Sequence, residues 1–274
     1  MSVCGDEVAS FRQHGPDNAQ VASFIRDGFL RIDGAFPRDV AVECRYQIAA
    51  QAGIDLTNPT SWTHAVTRHV GAGHASFAGV LSTPILQQAY DRLAGRDRWA
   101  PRNNVGLVVV RYPSPEDPGD AGWHIEGSYA VGDESWVNLA SRDRALLLLV
   151  LLSDVGNDDA PTGIRVGSHL LVPAQLREAG TAGMPFSRVA TNTPEMEACP
   201  IAYATGRAGD VYLCHPFLVH SATWPHRGTT PRFMAQPALP QRAPFQYDRP
   251  SGEYSPVELA VRIGLGLDMA ISAT

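Results

Sequence analysis

His124 and Glu126 stand two positions apart in DAGWHIEGSYA (120–130), with Trp123 in front and Gly127-Ser128 behind. On a strand, side chains at i and i+2 share one face, so an imidazole and a carboxylate project side by side while Ile125 enters the opposite layer. Such a pair can occupy two adjacent positions on a divalent metal at roughly 2.0–2.2 Å. A second histidine on that face completes a two-histidine, one-carboxylate triad with open positions opposite, as in non-haem Fe(II) oxygenases. An H-x-E tripeptide alone reads better as a solvated pair at a strand end, so the third ligand decides. The stretch GDVYLCHPFLVHSATWPHRGTTPRF (209–233) offers His215, His220 and His226, followed by Arg232. His215 and His220 are an odd number of residues apart and face opposite ways on a regular strand, so they cannot both be ligands. His226, in a Pro- and Gly-rich turn, is expected at the surface. Arg232 comes twelve residues after His220, far enough to turn and return on a neighbouring antiparallel strand. There its guanidinium would offer a rigid fork to a carboxylate.

These side chains need a scaffold. With 274 residues, 44 % hydrophobic and 18 % charged, the chain suits one large soluble domain. A formal net charge of -6 argues against a protein that coats nucleic acid or an anionic membrane. The first residues show no apolar signal region, and the longest apolar run, 145–152, is too short to span a bilayer. Cys4, Cys44, Cys199 and Cys214 have no C-x-x-C spacing and read as free thiols in the cytoplasm. Before position 100, NAQVASFIRDGF, PRDVAVECRYQIAAQAG and STPILQQAYDRLAGRD have helical patterning, and GFLRID (28–33) reads as a short strand. After it, VGLVVVRYP (105–113), ALLLLVLLSDV (145–155), TGIRVGSHLLV (162–172), GDVYLCHPFLVHSA (209–222) and RFMAQPAL (232–239) are strand-like runs closed by turn residues. Strands without intervening βαβ helices point to an antiparallel sandwich or barrel.

WHIEG, the GSH at 167–169, GDVYLCHPFLVHSA followed by PR, and the opening FIRDGFLRIDGAFPRDV together resemble the phytanoyl-CoA dioxygenase family of Fe(II)/2-oxoglutarate oxygenases, in its uncharacterised bacterial branch. The resemblance runs over most of residues 20–240 in the right order. It implies a mainly β, cupin-like double-stranded β-helix (jelly roll) with flanking helices. It also implies Fe(II) held by His124, Glu126 and His220, with Arg232 pairing with the distal carboxylate of 2-oxoglutarate. The chain is then one domain over 1–274: a mostly helical part at 1–100, the jelly-roll core with the metal site at 101–245, and a helical tail at 246–274. The expected reaction uses O2 to oxidise, most simply to hydroxylate, a C–H bond of a small organic substrate, with release of succinate and CO2. Two departures stand out. Most members have aspartate where this chain has Glu126, and many have a hydroxyl where it has Ala222. Glu126 argues against halogenation, which in relatives goes with loss of the carboxylate.

Thr162 and Arg165 are candidate substrate contacts, with surface exposure an equal expectation for Arg165. His169 is expected to be structural. His64, His69 and His74 recur every five residues; on a helix that advances about 140° per step, so no second metal site is expected there. Rival readings are a cupin-like Zn or Mn isomerase or hydrolase, which has no reason to keep Arg232, and a non-catalytic metal-binding jelly roll, for which nothing in the chain marks a partner surface.

Overall fold

The computed structural model describes residues 15–268; Cys4 and residues 269–274 of the expected tail lie outside them. Helix α1 (Asn18–Asp27) opens on a capping box, in which Asp17 accepts from the Gln20 amide and the Gln20 side chain accepts from the Asp17 amide. It closes at Gly28, whose φ of 88° is left-handed. A Cβ there would also meet His169 Nδ1 at 2.5 Å, so no other residue fits this corner. There follow β1 (Phe29–Ile32), α2 (Arg38–Ala52), β2 (Val66–Gly71), α3 (Ala75–Val80) and α4 (Pro84–Ala94). The helical geometry considered for the three-histidine stretch is not what forms. His69 lies on β2, where Val66, Thr67 and Val70 favour extended backbone, and His74 caps α3 by accepting from the Ser76 amide.

The remaining elements are β3 (Gly106–Arg111), β4 (Tyr129–Val131), β5 (Glu134–Val137), β6 (Leu146–Leu151), β7 (Gly163–Arg165), α5 (Val172–Glu178), β8 (Met184–Pro185), α6 (Pro194–Glu197), β9 (Ile201–Tyr203), β10 (Val211–Cys214), β11 (His220–Ser221), β12 (Arg232–Ala235), β13 (Ala238–Leu239) and α7 (Pro256–Gly264). All strand pairings are antiparallel. The large sheet runs β1-β10-β6-β12-β3-β2, with β13 also on β6; β11-β7-β9 and β4-β5-β8 form two smaller sheets. Both ends of the large sheet, β1 and β2, come from the first hundred residues.

Strand β6 explains its own sequence. Leu146, Leu148 and Val150 pack into the core shared with the helices, while Leu147, Leu149 and Leu151 pack with Ile164 and Ala204 of the facing sheet. A strand buried on both faces has no polar side to alternate with, hence the unbroken apolar run. The result is a jelly roll: the large antiparallel sheet faces β11-β7-β9, with helices packed on its outer face. Three expected strands are interrupted: RFMAQPAL divides into β12 and β13 at Gln236-Pro237, and two others are broken by turns. GDVYLCHPFLVHSA divides into β10 and β11 around Pro216, which has no amide for a ladder, and TGIRVGSHLLV leaves its strand at Gly167, with φ of 79°.

His169 is fully buried; its Nε2 donates to Ile25 O at 3.0 Å and its Nδ1 has no partner. Burial brings this imidazole from 6.5 down to about 4, and its neighbour His215, with ring centroids 4.9 Å apart, is also lowered by burial. Between those values the unfolded chain binds the proton that the folded one refuses. Stability is therefore complete above pH 6.5 and declines as pH falls toward 4, by ~3 kcal/mol for His169 over the whole interval. Denaturant unfolding of wild type and His169→Asn at pH 7.5 and 5 should show a flatter pH dependence in the variant; equal slopes would refute this.

Candidate metal centre

The backbone brings the two histidines face to face. His124 belongs to no strand longer than a bridge: its amide donates to His220 O at 3.0 Å and the His220 amide returns the bond at 2.9 Å. Ile125 points the other way into a fully buried apolar cluster, which turns Glu126 back to the side of His124. One ligand atom from each of His124, Glu126 and His220 lies within 4.8 Å of the others. The imidazole rings are 4.5 Å apart between centroids.

Hydrogen bonding decides which nitrogens face inward. His124 Nδ1 sits 2.7 Å from Gly122 O and His220 Nδ1 is 3.1 Å from Leu218 O. Carbonyls only accept, so both Nδ1 atoms carry the proton and both Nε2 atoms present lone pairs. His220 Nε2 is buried without a hydrogen-bond partner, 3.4 Å from Glu126 Oε1. Burial pushes the Glu126 carboxyl up, but when the imidazoles carry their second proton a hydrogen bond from His220, then the charges of His220, Arg144 and His124, outweigh it and hold the group at about 2. Burial, followed by repulsion from His220, lowers His124. Two lone pairs and a carboxylate converging without a donor between them make a cation site, and the donor set fits a divalent transition metal.

A cavity of about 190 Å³ opens beside the two imidazoles. Its walls include Arg68, Val109, Arg111 and Asp120, together with Thr162, Ala222, Arg232 and Gln236. Arg232 is 2 % exposed; its Nη1 donates to Ala160 O and its Nε has no partner. Burial, with the Arg111 charge alongside, brings its guanidinium down to about 9. A second hollow of about 300 Å³, walled by 119–124 with Phe186, Ser187, Val189 and Thr191, meets the first at Asp120 and His124.

The other candidate residues divide. Thr162 lines the first cavity, with its hydroxyl near Met234 Sδ at 3.8 Å. Arg165 is not at the surface: it is 6 % exposed, its guanidinium lies 4.5 Å from the Trp123 ring centroid, and its Nη1 donates to Thr191 O. His226 is buried too, against the expectation of exposure, because its Nδ1 accepts from Gly228 N at 3.1 Å and the turn folds over it. His215 stays apart from the trio, accepting from Phe217 N at 3.1 Å with its Nε2 against Val257 O at 3.2 Å. Sequence reasoning passed over Arg111 and Arg144 and read Asp120 as part of a solvated loop (113–122), whereas its carboxylate is largely buried between Arg111 and Arg68. The available signal for Arg111 was a charge at the end of Leu107-Val108-Val109-Val110, on the face shared by Leu107 and Val109.

No protein family matches the chain, and no curated protein matches it in sequence. Solved structures do. The epimerase SnoN in complex with Fe3+, alpha ketoglutarate and nogalamycin RO is 20 % identical over 87 % of this chain and 91 % of its own, with a TM-score of 0.55. The non-haem alpha ketoglutarate dependent carbocyclase SnoK from nogalamycin biosynthesis is 18 % identical over 82 % and 84 %, with a TM-score of 0.53. HygX from Streptomyces hygroscopicus, with nickel and 2-oxoglutarate bound, is 19 % identical over 81 % and 86 %, with a TM-score of 0.52. At such identities the likeness is one of fold, and the chain shares its jelly-roll architecture with these metal- and oxo-acid-binding proteins.

Proposed function

We propose that this protein is a non-haem iron, 2-oxoglutarate-dependent oxygenase of the phytanoyl-CoA dioxygenase type, with His124, Glu126 and His220 as metal ligands and Arg232 as anchor of the oxo-acid. One observation carries the reading: two imidazole lone pairs and a carboxylate gather within 4.8 Å beside a cavity that also holds a buried guanidinium. When bound, Fe(II) supplies O2 activation coupled to oxidative decarboxylation of 2-oxoglutarate to succinate and CO2. The chain's own residues do the rest. His124 and His220 are locked as Nε2 donors by carbonyls, Arg232 orients the cosubstrate, and the buried walls keep water from the reacting centre.

A small organic substrate fits the second hollow, where Trp123, Phe186 and Val189 supply apolar wall next to His124. Hydroxylation is the simplest outcome; desaturation, ring closure or epimerisation requires only another pose of the substrate. Thr162 is assigned to the cosubstrate side and Arg165 to support of the Trp123 ring. The test is direct. Protein loaded with Fe(II) and given 2-oxoglutarate and O2 should release succinate, slowly without substrate and faster with a matching one. No succinate with any member of a small-molecule panel would overturn the assignment.

Arg144 holds Glu126 in place in this reading. It is 8 % exposed, its Nη2 donates to Gly127 O at 2.9 Å and lies 3.7 Å from Glu126 Oε2, and its Nε and Nη1 are unpartnered. Removing the partner of a metal-ligating carboxylate costs about 10–100-fold in metal affinity. Arg144→Met should show that loss in a chelator competition with the affinity for 2-oxoglutarate at saturating metal unchanged; unaltered metal affinity would refute it.

A further inference from the structure

Two buried guanidiniums sit side by side in the wall of the cavity. Arg111 ends β3, Arg232 begins β12, and the register pairs them directly, which in antiparallel strands sets the Cα atoms about 5 Å apart. Each is 2 % exposed, each lines the cavity, and each keeps an Nε without a partner. Like charges so placed repel, and burial removes the water that would screen them. One carboxylate lies among them. Asp120 accepts from Arg111 Nη2 on both oxygens at 2.9 Å, and also from Arg68 Nη2 at 2.9 Å. Asp120 thus binds Arg111 and the half-exposed Arg68, and no hydrogen bond ties it to Arg232, so the two buried guanidiniums have one carboxylate between them in the cavity wall. The next acidic group, Asp159, acts on Arg232 through its charge without a hydrogen bond to it, accepting instead from the Gly156 amide at 2.7 Å and lying 3.9 Å from His226.

Had Arg111 served only to neutralise Asp120, the half-exposed Arg68 would suffice, and burying a second guanidinium with an orphaned Nε would be pure cost. The two orphaned Nε donors and the positive balance of the cavity wall call for an anion from outside. A volume of about 190 Å³ admits a short-chain dianion and little more, so the anion and the bulkier substrate occupy different hollows.

We propose that Arg111 is a second anchor for the distal carboxylate of the oxo-acid, clamping it together with Arg232, so that the cavity selects a dicarboxylic over a monocarboxylic oxo-acid. This rests on the oxygenase reading above. Asp120 holds the Arg111 side chain in place from one side while its remaining donors meet the incoming carboxylate from the other. The clamp spans two neighbouring strands of the large sheet, a rigid base for a two-point grip.

The test is calorimetric titration of Ni(II)-loaded protein with 2-oxoglutarate and, in parallel, with 2-oxopentanoate, which has the same carbon chain without the distal carboxylate. Wild type should prefer the dicarboxylate. Arg111→Met should lose about 10- to 100-fold in 2-oxoglutarate affinity, the worth of charge-assisted hydrogen bonds to one carboxylate, with 2-oxopentanoate affinity unchanged. A merely structural role would weaken both ligands equally, and that result overturns the proposal. So does recovery of 2-oxoglutarate affinity in Arg111→Met/Asp120→Asn, which would mean that Arg111 only balances Asp120. Arg111→Lys keeps the charge without the fork and should lose less than the methionine variant. If the methionine variant does not fold, a lysine variant with the full wild-type preference overturns the clamp. Wild type that binds neither oxo-acid, or binds both equally, sinks the oxygenase reading with its Arg232 anchor, whereas Arg111→Met that keeps the wild-type preference sinks only the clamp.

Discussion

His220→Ala protein should fail to bind Fe(II), with affinity reduced by well over about 100-fold, and should form no succinate. Loss of a supporting partner already costs about 10–100-fold, and loss of a ligand costs more. His220 tolerates this test structurally, because its bridge to His124 runs through backbone amides and carbonyls that alanine keeps, and only the ring contact with His124 and the bond to Leu218 O are lost. The apo fold should therefore survive, as circular dichroism would show. A metal binding only the folded state at 100 times its dissociation constant adds about 2.7 kcal/mol. In a chain of this length that raises the melting temperature by on the order of 5 °C. Wild type should show the rise with Mn(II) or Fe(II), and His220→Ala should not. A variant that keeps both the thermal shift and metal affinity would remove His220 from the centre.

Arg232→Met should separate binding from stability. The guanidinium is buried with an unpartnered Nε beside the like charge of Arg111, an arrangement that costs free energy in the absence of an anion. An unbranched apolar side chain of similar length removes that cost and gives up one hydrogen bond to Ala160 O. The folded state should be unchanged or stabilised by up to about 2 kcal/mol in denaturant unfolding. The same change should lower 2-oxoglutarate affinity by about 100-fold or more, as expected for truncating one partner of a buried charge pair, with metal affinity intact. An arginine kept for the fold would behave in the opposite way, with stability lost and cosubstrate affinity retained.

Much of the scaffold could be read in the residues. The continuous apolar run of β6 and the helical patterning of α1, α2 and α4 appear in the described structure as strand and helices, whereas Arg232 does not return beside His220: β11 pairs with β7, and β12 lies in the large sheet between β3 and β6. Local signals failed where a single residue overrode them. Pro216 and Gly167 cut two expected strands short, and β-branched Val66, Thr67 and Val70 made a strand of the histidine-rich segment. The parity of His215 and His220 was sound only for an unbroken strand. What separates them is a turn, with His215 drawn in toward Val257 and Phe217.

Periodicity tells each side chain which face it takes, and the residues by themselves determined that His124 and Glu126 share a face, that Ile125 opposes them, and that a histidine and an arginine lie at reachable distances downstream. Which groups meet across the sheets is a matter of register between segments about a hundred residues apart, and no local pattern encodes it. Only the tertiary structure set Arg111 against Arg232, brought Asp120 between Arg111 and Arg68, and put Arg144 behind Glu126. Each of these is a charge at a strand end or in a loop, where a lone arginine or aspartate reads as solvated surface until the pairing of distant strands buries it.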